Sequence, residues 1–119
     1  MATVSIIKAT YSDPEIETLL APLGGMEQFV KKNEKVLLKV NLLSAKGPEK
    51  AVTTHPDFVR AVAKAVREAG GEPYIGDSPS GPFSKRNLNK AYRSSGLKNL
   101  ANAQPVGNAK AFVPKTQSR

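Results

Sequence analysis

The sequence predicts an α/β protein with a mainly parallel sheet of three or four strands and flanking helices. Three consecutive segments support this prediction: an apolar run at 36–42, an amphipathic stretch at 56–69 and a β-prone run at 72–77. Strand, helix and strand in this order form a β-α-β unit, in which the two strands are parallel. The polar residues that follow the strands are therefore expected at one edge of the sheet, where such folds bind ligands.

The residues before this unit predict one more strand and one more helix. Thr3–Thr10 is rich in β-branched residues with partial alternation, which predicts a first strand. The Ser-Asp-Pro sequence at 12–14 is typical of a helix start, and two glutamates follow in the first turn. Gly24-Gly25 ends that helix, and a further short helical turn is expected at 26–30.

The first strand of the β-α-β unit is apolar except for two polar residues. Val36–Leu42 contains only Lys39 and Asn41 as polar residues, a pattern typical of a central parallel strand that is covered on both faces. The following loop at 44–52 contains about ten residues and is longer than most connections of this type. Long loops at this edge of a sheet often contribute to function.

The next segment predicts a helix with one apolar face. Thr54 is expected to cap it, and Asp57, three residues later, to return a capping-box hydrogen bond. Gly70-Gly71 ends the helix, and 72–77 forms a short strand that tolerates Pro73 near its start. The apolar face contains Phe58, Val62, Ala65, Val66 and Ala69.

The remaining residues predict less structure. A turn-rich loop follows residue 78, one more helix is expected over 88–100, and a weak strand is expected around 111–113. We therefore divide the chain into an α/β domain at 1–101 and a basic tail at 102–119. The tail is weakly structured or adds a final edge strand.

Length and composition exclude several classes of protein. A chain of 119 residues without Cys forms one domain at most and contains no disulfide, thiolate metal site or Cys-ligated iron–sulfur cluster. A single His argues against a His-rich zinc site. The N-terminus lacks the features of a signal peptide, and no apolar run approaches the roughly 20 residues of a membrane span. A soluble, cytoplasmic protein without a membrane partner is expected.

The net charge of +8 is unevenly distributed along the chain. Residues 1–77 contain ten Lys or Arg and ten Asp or Glu, whereas residues 78–119 contain eight Lys or Arg and no acid. Such asymmetry indicates a surface for nucleic acid or an acidic partner. The alternative is a chain that stops before the segment that would have balanced it.

Three residues are candidates for catalytic chemistry. Asp77 ends a strand and could bind a metal or a sugar hydroxyl or act as a base, while the structural alternative is an Asx-turn. Lys39 shares a strand face with Asn41, and together they suit a phosphate or carboxylate, unless Lys39 only neutralises Asp77. His55 at a helix start is expected to stay neutral and serve as base or ligand, unless it is simply a surface residue.

Further residues are candidates for ligand binding. Asn41 and Thr54 lie at the same predicted edge, and Ser78, Ser80 and Gly81 could present backbone N–H groups to an anion, although they match no Walker or GxGxxG motif. A separate basic cluster could bind phosphates, but little aromatic interleaving favours a solvated face. Its residues are Lys85, Arg86, Lys90 and Arg93.

The chain resembles the start of the domain of unknown function 362 family over roughly residues 3–100. The resemblance rests on the runs at 36–43, 51–62, 68–71 and 75–79. Its most specific parts are Lys39-x-Asn41, Thr54-His55-Pro56 and Gly76-Asp77-Ser78-Pro79.

The resemblance implies an α/β domain without an agreed reaction. Many members are longer and contain Cys-rich ferredoxin-like segments that hold iron–sulfur clusters. This chain has no Cys, so a redox role would require an iron–sulfur or other redox partner protein. It is also expected to stop partway through the family domain.

The sequence leaves three hypotheses open. The first is an enzyme or ligand-binding domain for a small anionic or metal-bound ligand, with the cofactor and the metal unknown. The second is a nucleic-acid-binding module that uses residues 85–98. The third is a truncated form that folds with a partner or as a homo-oligomer.

Overall fold

A computed structural model of the protein describes residues 1–41, 47–51, 53–76, 90, 93–94 and 110–111. The described elements with defined bounds are the helices α1 (Ile16–Leu20) and α2 (Pro56–Glu68) and the strands β1 (Lys35–Lys39), β2 (Glu72–Gly76) and β3 (Lys110–Ala111). Single 3₁₀ turns occupy Ala21–Leu23, Met26–Gln28 and Pro48–Lys50. None of the described helices has the length and apolar run needed to cross a membrane.

The sheet is parallel and is built on the predicted β-α-β unit. β1 pairs with β2 over five positions, from Lys35 opposite Glu72 to Lys39 opposite Gly76. β3 adds a two-residue parallel pairing on the other side of β2, where Tyr74 lies opposite Lys110. The predicted α/β class is therefore confirmed. The predicted count of three or four strands stays a prediction, as does the domain boundary at residue 101.

The core lies between α2 and the sheet. α2 buries Val59, Ala63 and Val66, which are four and three residues apart and so lie on one side of the helix. Ile75 of β2 is fully buried, and Val66 is only 1% exposed. Each aliphatic side chain buried in this way contributes about 1.5–3 kcal/mol to folding.

The buried side of α2 differs from the predicted one by about one residue. Val66 is buried as expected, but Phe58 is 37% exposed and Val62 is half-buried. The small side chain of Ala63 is completely buried, which lets the helix approach the sheet along the Val59–Ala63–Val66 line. The larger side chains of Phe58 and Val62 consequently remain beside the contact and line a groove next to β1.

The predicted end of α2 is confirmed. Gly70 has a φ of 94°, the left-handed conformation in which helices often end. A Cβ atom at Gly71 would lie 2.5 Å from Cγ1 of Val30 and 3.0 Å from Cγ1 of Val66. The second glycine is therefore required by close packing between the helix end and the segment before β1.

The predicted first strand at Thr3–Thr10 is wrong. Within the described part of the chain, residues 1–9 form no hydrogen bond and have no strand assignment. Val4 and Ile6 are 79% and 87% exposed. The β-branched composition predicts an extended backbone, but a strand also requires a neighbouring edge to pair with.

The first helix begins later than predicted. The residues expected to start it form a turn instead, in which Thr10 N–H donates to the Asp13 carbonyl at 3.4 Å. The Thr10 hydroxyl also lies 2.9 Å from the Ser12 hydroxyl. α1 therefore begins at Ile16, after Glu15 in a left-handed conformation with a φ of 51°. The short helical turn expected at 26–30 is confirmed as the 3₁₀ turn Met26–Gln28.

β1 is not covered on both faces as predicted. Its residues alternate between exposed and half-buried, and Leu37 is 50% exposed. Within the described sheet, β1 is also one of the two edge strands. The composition predicted the strand correctly but not its burial, because an apolar run does not specify which neighbouring segments will cover it.

Candidate functional site

A reciprocal pair of hydrogen bonds joins the end of β1 to the start of α2. Asn41 N–H donates to the Thr54 hydroxyl at 2.9 Å. Thr54 N–H donates in return to the Asn41 carbonyl at 3.1 Å. Two bonds between the same two residues fix both position and orientation, so the end of the strand and the beginning of the helix form one rigid corner.

His55, rather than the predicted Thr54, caps α2. Asp57 N–H donates to Nδ1 of His55 at 3.1 Å, which satisfies one of the free amides at the helix start. The predicted cap is wrong because α2 begins at Pro56, so that His55 and not Thr54 directly precedes it; the Thr54 hydroxyl accepts from Asn41 N–H instead. A ring nitrogen that accepts a hydrogen bond has no proton, so this contact assigns the hydrogen of the neutral ring to Nε2. In this arrangement His55 offers a hydrogen-bond donor at Nε2.

Asp57 does not form the predicted capping box. Thr54 N–H, which the box would require, is bonded to Asn41. The Asp57 carboxylate instead accepts a hydrogen bond from Nη1 of Arg60 at 3.0 Å. Both side chains are about half exposed, at 45% and 55%. Such a pair contributes about 0–1 kcal/mol, so its main effect is to hold the Asp57 carboxylate on the outer side of the helix.

Tyr11 packs against the ring of His55. The ring centroids are 4.0 Å apart and the planes differ by 11°, which is a stacked arrangement. The stack and the Asp57 hydrogen bond together restrict the orientation of the imidazole. Sequence reasoning missed Tyr11, because nothing in its local sequence indicates a contact with a residue so distant in the chain.

An open cleft of about 890 Å³ lies at the start of α2. The buried Thr53 lines it, and the Oγ1 atom of Thr53 has no hydrogen-bond partner among the residues that the structure describes. Ala51 is held at a φ of 54°, a conformation that is uncommon for residues with a Cβ atom. The cleft is lined by Tyr11, Pro48, Glu49, Ala51, Thr53, Thr54, His55 and Phe58.

Lys39 lies beside this cleft. It is exposed at the end of β1 and lines a second groove of about 280 Å³, which shares Thr54 and Phe58 with the first. The structure therefore brings four of the predicted site residues to one corner of the fold. These are Lys39, Asn41, Thr54 and His55.

The other candidate residues lie outside the described part of the chain. They are Asp77, Ser78, Ser80 and Gly81 at the predicted edge, and Lys85 and Arg86 of the basic cluster. Lys90 and Arg93 are described, and both are helical and exposed. Among the described residues, no group of three His, Asp or Glu side chains is placed to hold a metal ion.

Comparison with known proteins identifies the family of this chain. The family model described as "Domain of unknown function (DUF362)" matches residues 36–118. The chain is 54% identical over 65 residues to the "Thylakoid-associated protein sll1697" of Synechocystis sp., a match that covers 55% of this chain and 20% of that relative. No solved structure matches the chain. The resemblance seen in the sequence is confirmed, and the chain belongs to the DUF362 family of domains of unknown function.

Proposed function

We propose that this chain binds a small anionic ligand, free or bound to a metal, where β1 ends and α2 begins. The observation that supports the proposal most strongly is the reciprocal pair of hydrogen bonds between Asn41 and Thr54. This pair fixes the corner before any ligand arrives, so binding would require little ordering of the backbone. Preorganised corners of this kind, at the carboxyl edge of parallel strands, are frequent ligand sites in α/β proteins.

Three features of the corner suit a negative charge. Lys39 supplies an ammonium group, and Nε2–H of His55 supplies a directional donor. The dipole of α2, a helix of 13 residues, adds positive potential at the same end. The amide of Asp57 is already bonded to His55, so a ligand would use the imidazole rather than that amide.

Two acids restrict where the negative charge can lie. Glu49 lines the cleft, and the Asp57 carboxylate approaches Nδ1 of His55 to 3.9 Å. Like charges repel, so the anionic group of the ligand is expected on the Lys39 side of Thr54, away from Glu49. The anionic group would then lie where the cleft meets the second groove, at Thr54 and Phe58, which line both.

The residues after β2 would complete the site. Gly76 is paired with Lys39, and Asp77 follows it directly in the chain. Ser78, Ser80 and Gly81 come next and keep their proposed role as donors to the anion. In an enzyme, His55, Asp77 and Lys39 would have the catalytic roles; in a binding domain, the same residues would only hold the ligand.

The test is an amide proton–nitrogen NMR titration of the full chain with inorganic phosphate. We expect phosphate to shift the signals of Asn41, Thr54 and His55, and the substitution Lys39→Ala to abolish these shifts without unfolding the chain. Lys35→Ala is the matched control, because Lys35 is an exposed lysine at the opposite end of β1. If the Lys39→Ala chain binds phosphate as the unmodified chain does, this assignment of the site is wrong.

A further inference from the structure

The cleft beside α2 has an aromatic wall. The chain contains only four Phe, three Tyr and one His, yet Tyr11, Phe58 and His55 all line this one cleft. Tyr11 is 59% exposed although His55 covers one face of its ring, and Phe58 is 37% exposed. Three flat rings at one opening provide a surface on which another flat, apolar group could stack.

The cleft also has polar groups. Thr53 and Thr54 line it next to His55, and within the described part of the chain Oγ1 of Thr53 is a buried hydroxyl oxygen without a hydrogen-bond partner. A hydroxyl in this position can donate or accept a hydrogen bond with a group that enters the cleft. The cleft therefore combines an apolar wall with a few hydrogen-bonding groups, as small-molecule sites usually do.

Building on the proposed function, we infer that the ligand carries a flat apolar group, such as an aromatic ring, joined to its anionic group. The ring lies in the cleft against Tyr11 and Phe58, and the anion points toward Lys39. Glu49 favours this orientation, because its carboxylate in the cleft repels an anion but does not repel a neutral ring. The ligand class is thus an aromatic phosphate or carboxylate.

The experiment compares phenyl phosphate with methyl phosphate in NMR titrations of the full chain. Both probes have the same charge, so a difference in affinity reports the ring alone. We expect phenyl phosphate to bind about tenfold more tightly, as stacking one ring on an aromatic side chain typically allows. Tyr11→Ala is expected to remove this preference, and Tyr11→Phe to retain it. Phe29→Ala is the control, because Phe29 is equally exposed at 59% but does not line the cleft.

The outcomes separate this inference from the proposed function. Equal binding of the two probes, or a preference that survives Tyr11→Ala, would overturn the inference and leave an anion site at the corner. If neither probe binds, the proposed function fails and the inference fails with it. A tenfold preference that disappears only in Tyr11→Ala, and not in Phe29→Ala, supports both.

Discussion

The hydroxyl groups of two adjacent threonines at the start of α2 differ in their hydrogen bonding. The Thr54 hydroxyl accepts a hydrogen bond from Asn41 N–H, whereas the Thr53 hydroxyl is buried and has no partner in the described part of the chain. The net value of a hydrogen bond is about 0.5–1.5 kcal/mol, and a buried polar group without a partner costs about 1–3 kcal/mol. The same substitution at the two positions should therefore have opposite effects.

Thr54→Val should lower the free energy of unfolding by about 1 kcal/mol, because Asn41 N–H loses its acceptor while the shape of the side chain is retained. Thr54→Ser, which keeps the hydroxyl, should restore most of the loss. Urea unfolding followed by circular dichroism measures both values. A Thr54→Val chain as stable as the original would mean that water replaces the hydroxyl without cost.

Thr53→Val should instead raise the free energy of unfolding by about 1 kcal/mol, because it removes a buried hydroxyl that lacks a partner. The same urea experiment measures this change in the absence of any ligand. A loss of stability would indicate that the Thr53 hydroxyl has a partner in solution, such as an ordered water molecule.

At the scale of elements, the β-α-β unit and the N-terminal segment have different protection from solvent. α2 and β2 supply most of the buried core. The backbone of α2 is hydrogen-bonded within the helix, and the backbone of β2 is hydrogen-bonded within the sheet. Residues 1–9 are described without any hydrogen bond. Amide hydrogens that are hydrogen-bonded and buried exchange with solvent more slowly than amide hydrogens that are not.

We therefore expect the amides of Ser5 and Ile7 to exchange within the dead time of a hydrogen–deuterium exchange experiment. The amides of Ala63 and Val66 in α2 should exchange more slowly by several orders of magnitude, because they open only when the unit unfolds. NMR-detected exchange measures each amide separately. Slow exchange at Ser5 and Ile7 would show that the segment is paired in solution, for instance in a homo-oligomer.

At the scale of the whole molecule, the charge distribution supports an alternative to ligand binding. All of the +8 net charge lies beyond residue 77, and Lys90 and Arg93, three positions apart in the chain, are each helical and exposed. We propose a nucleic-acid-binding module at 85–98 as the second candidate function. Residues three apart on a helix are neighbours, so these two side chains could contact the same strand of phosphates.

Binding to two unrelated DNA duplexes separates this alternative from simple charge attraction. A steep loss of affinity between about 50 and 200 mM salt is expected for the nucleic-acid-binding module, whereas weak binding that is equal for both duplexes would fit net charge alone. The double change Lys90→Ala with Arg93→Ala should lower the slope of log affinity against log salt by about 2. Strong preference for one duplex would favour the nucleic-acid module over the proposed anion site.

The relative from Synechocystis continues far beyond the region that this chain matches. The matched segment is 20% of that protein, whose name associates it with thylakoids. A cytoplasmic location, a redox partner protein and self-association stay predictions for this chain.

Much of the fold was predictable because its signals are local. The apolar runs identified β1 and β2, the spacing of apolar residues identified α2, and the two glycines identified its end. The proximity of Lys39, Asn41 and Thr54 to one another followed from topology alone, since a parallel β-α-β unit brings the ends of its strands and the start of its helix to one edge of the sheet.

The rest depended on contacts between residues distant in the chain. The sequence by itself determined the β-α-β unit and the edge where its polar residues meet. The signals for these features are the spacing of apolar residues and the positions of glycines, and each depends only on residues close together in the chain. Only the tertiary structure decided that His55 caps α2, that Tyr11 stacks on it and that residues 3–10 join no strand of the described sheet. The physical reason is that a cap, a ring stack and a strand each require a partner, and the choice of partner depends on which segments the fold brings together.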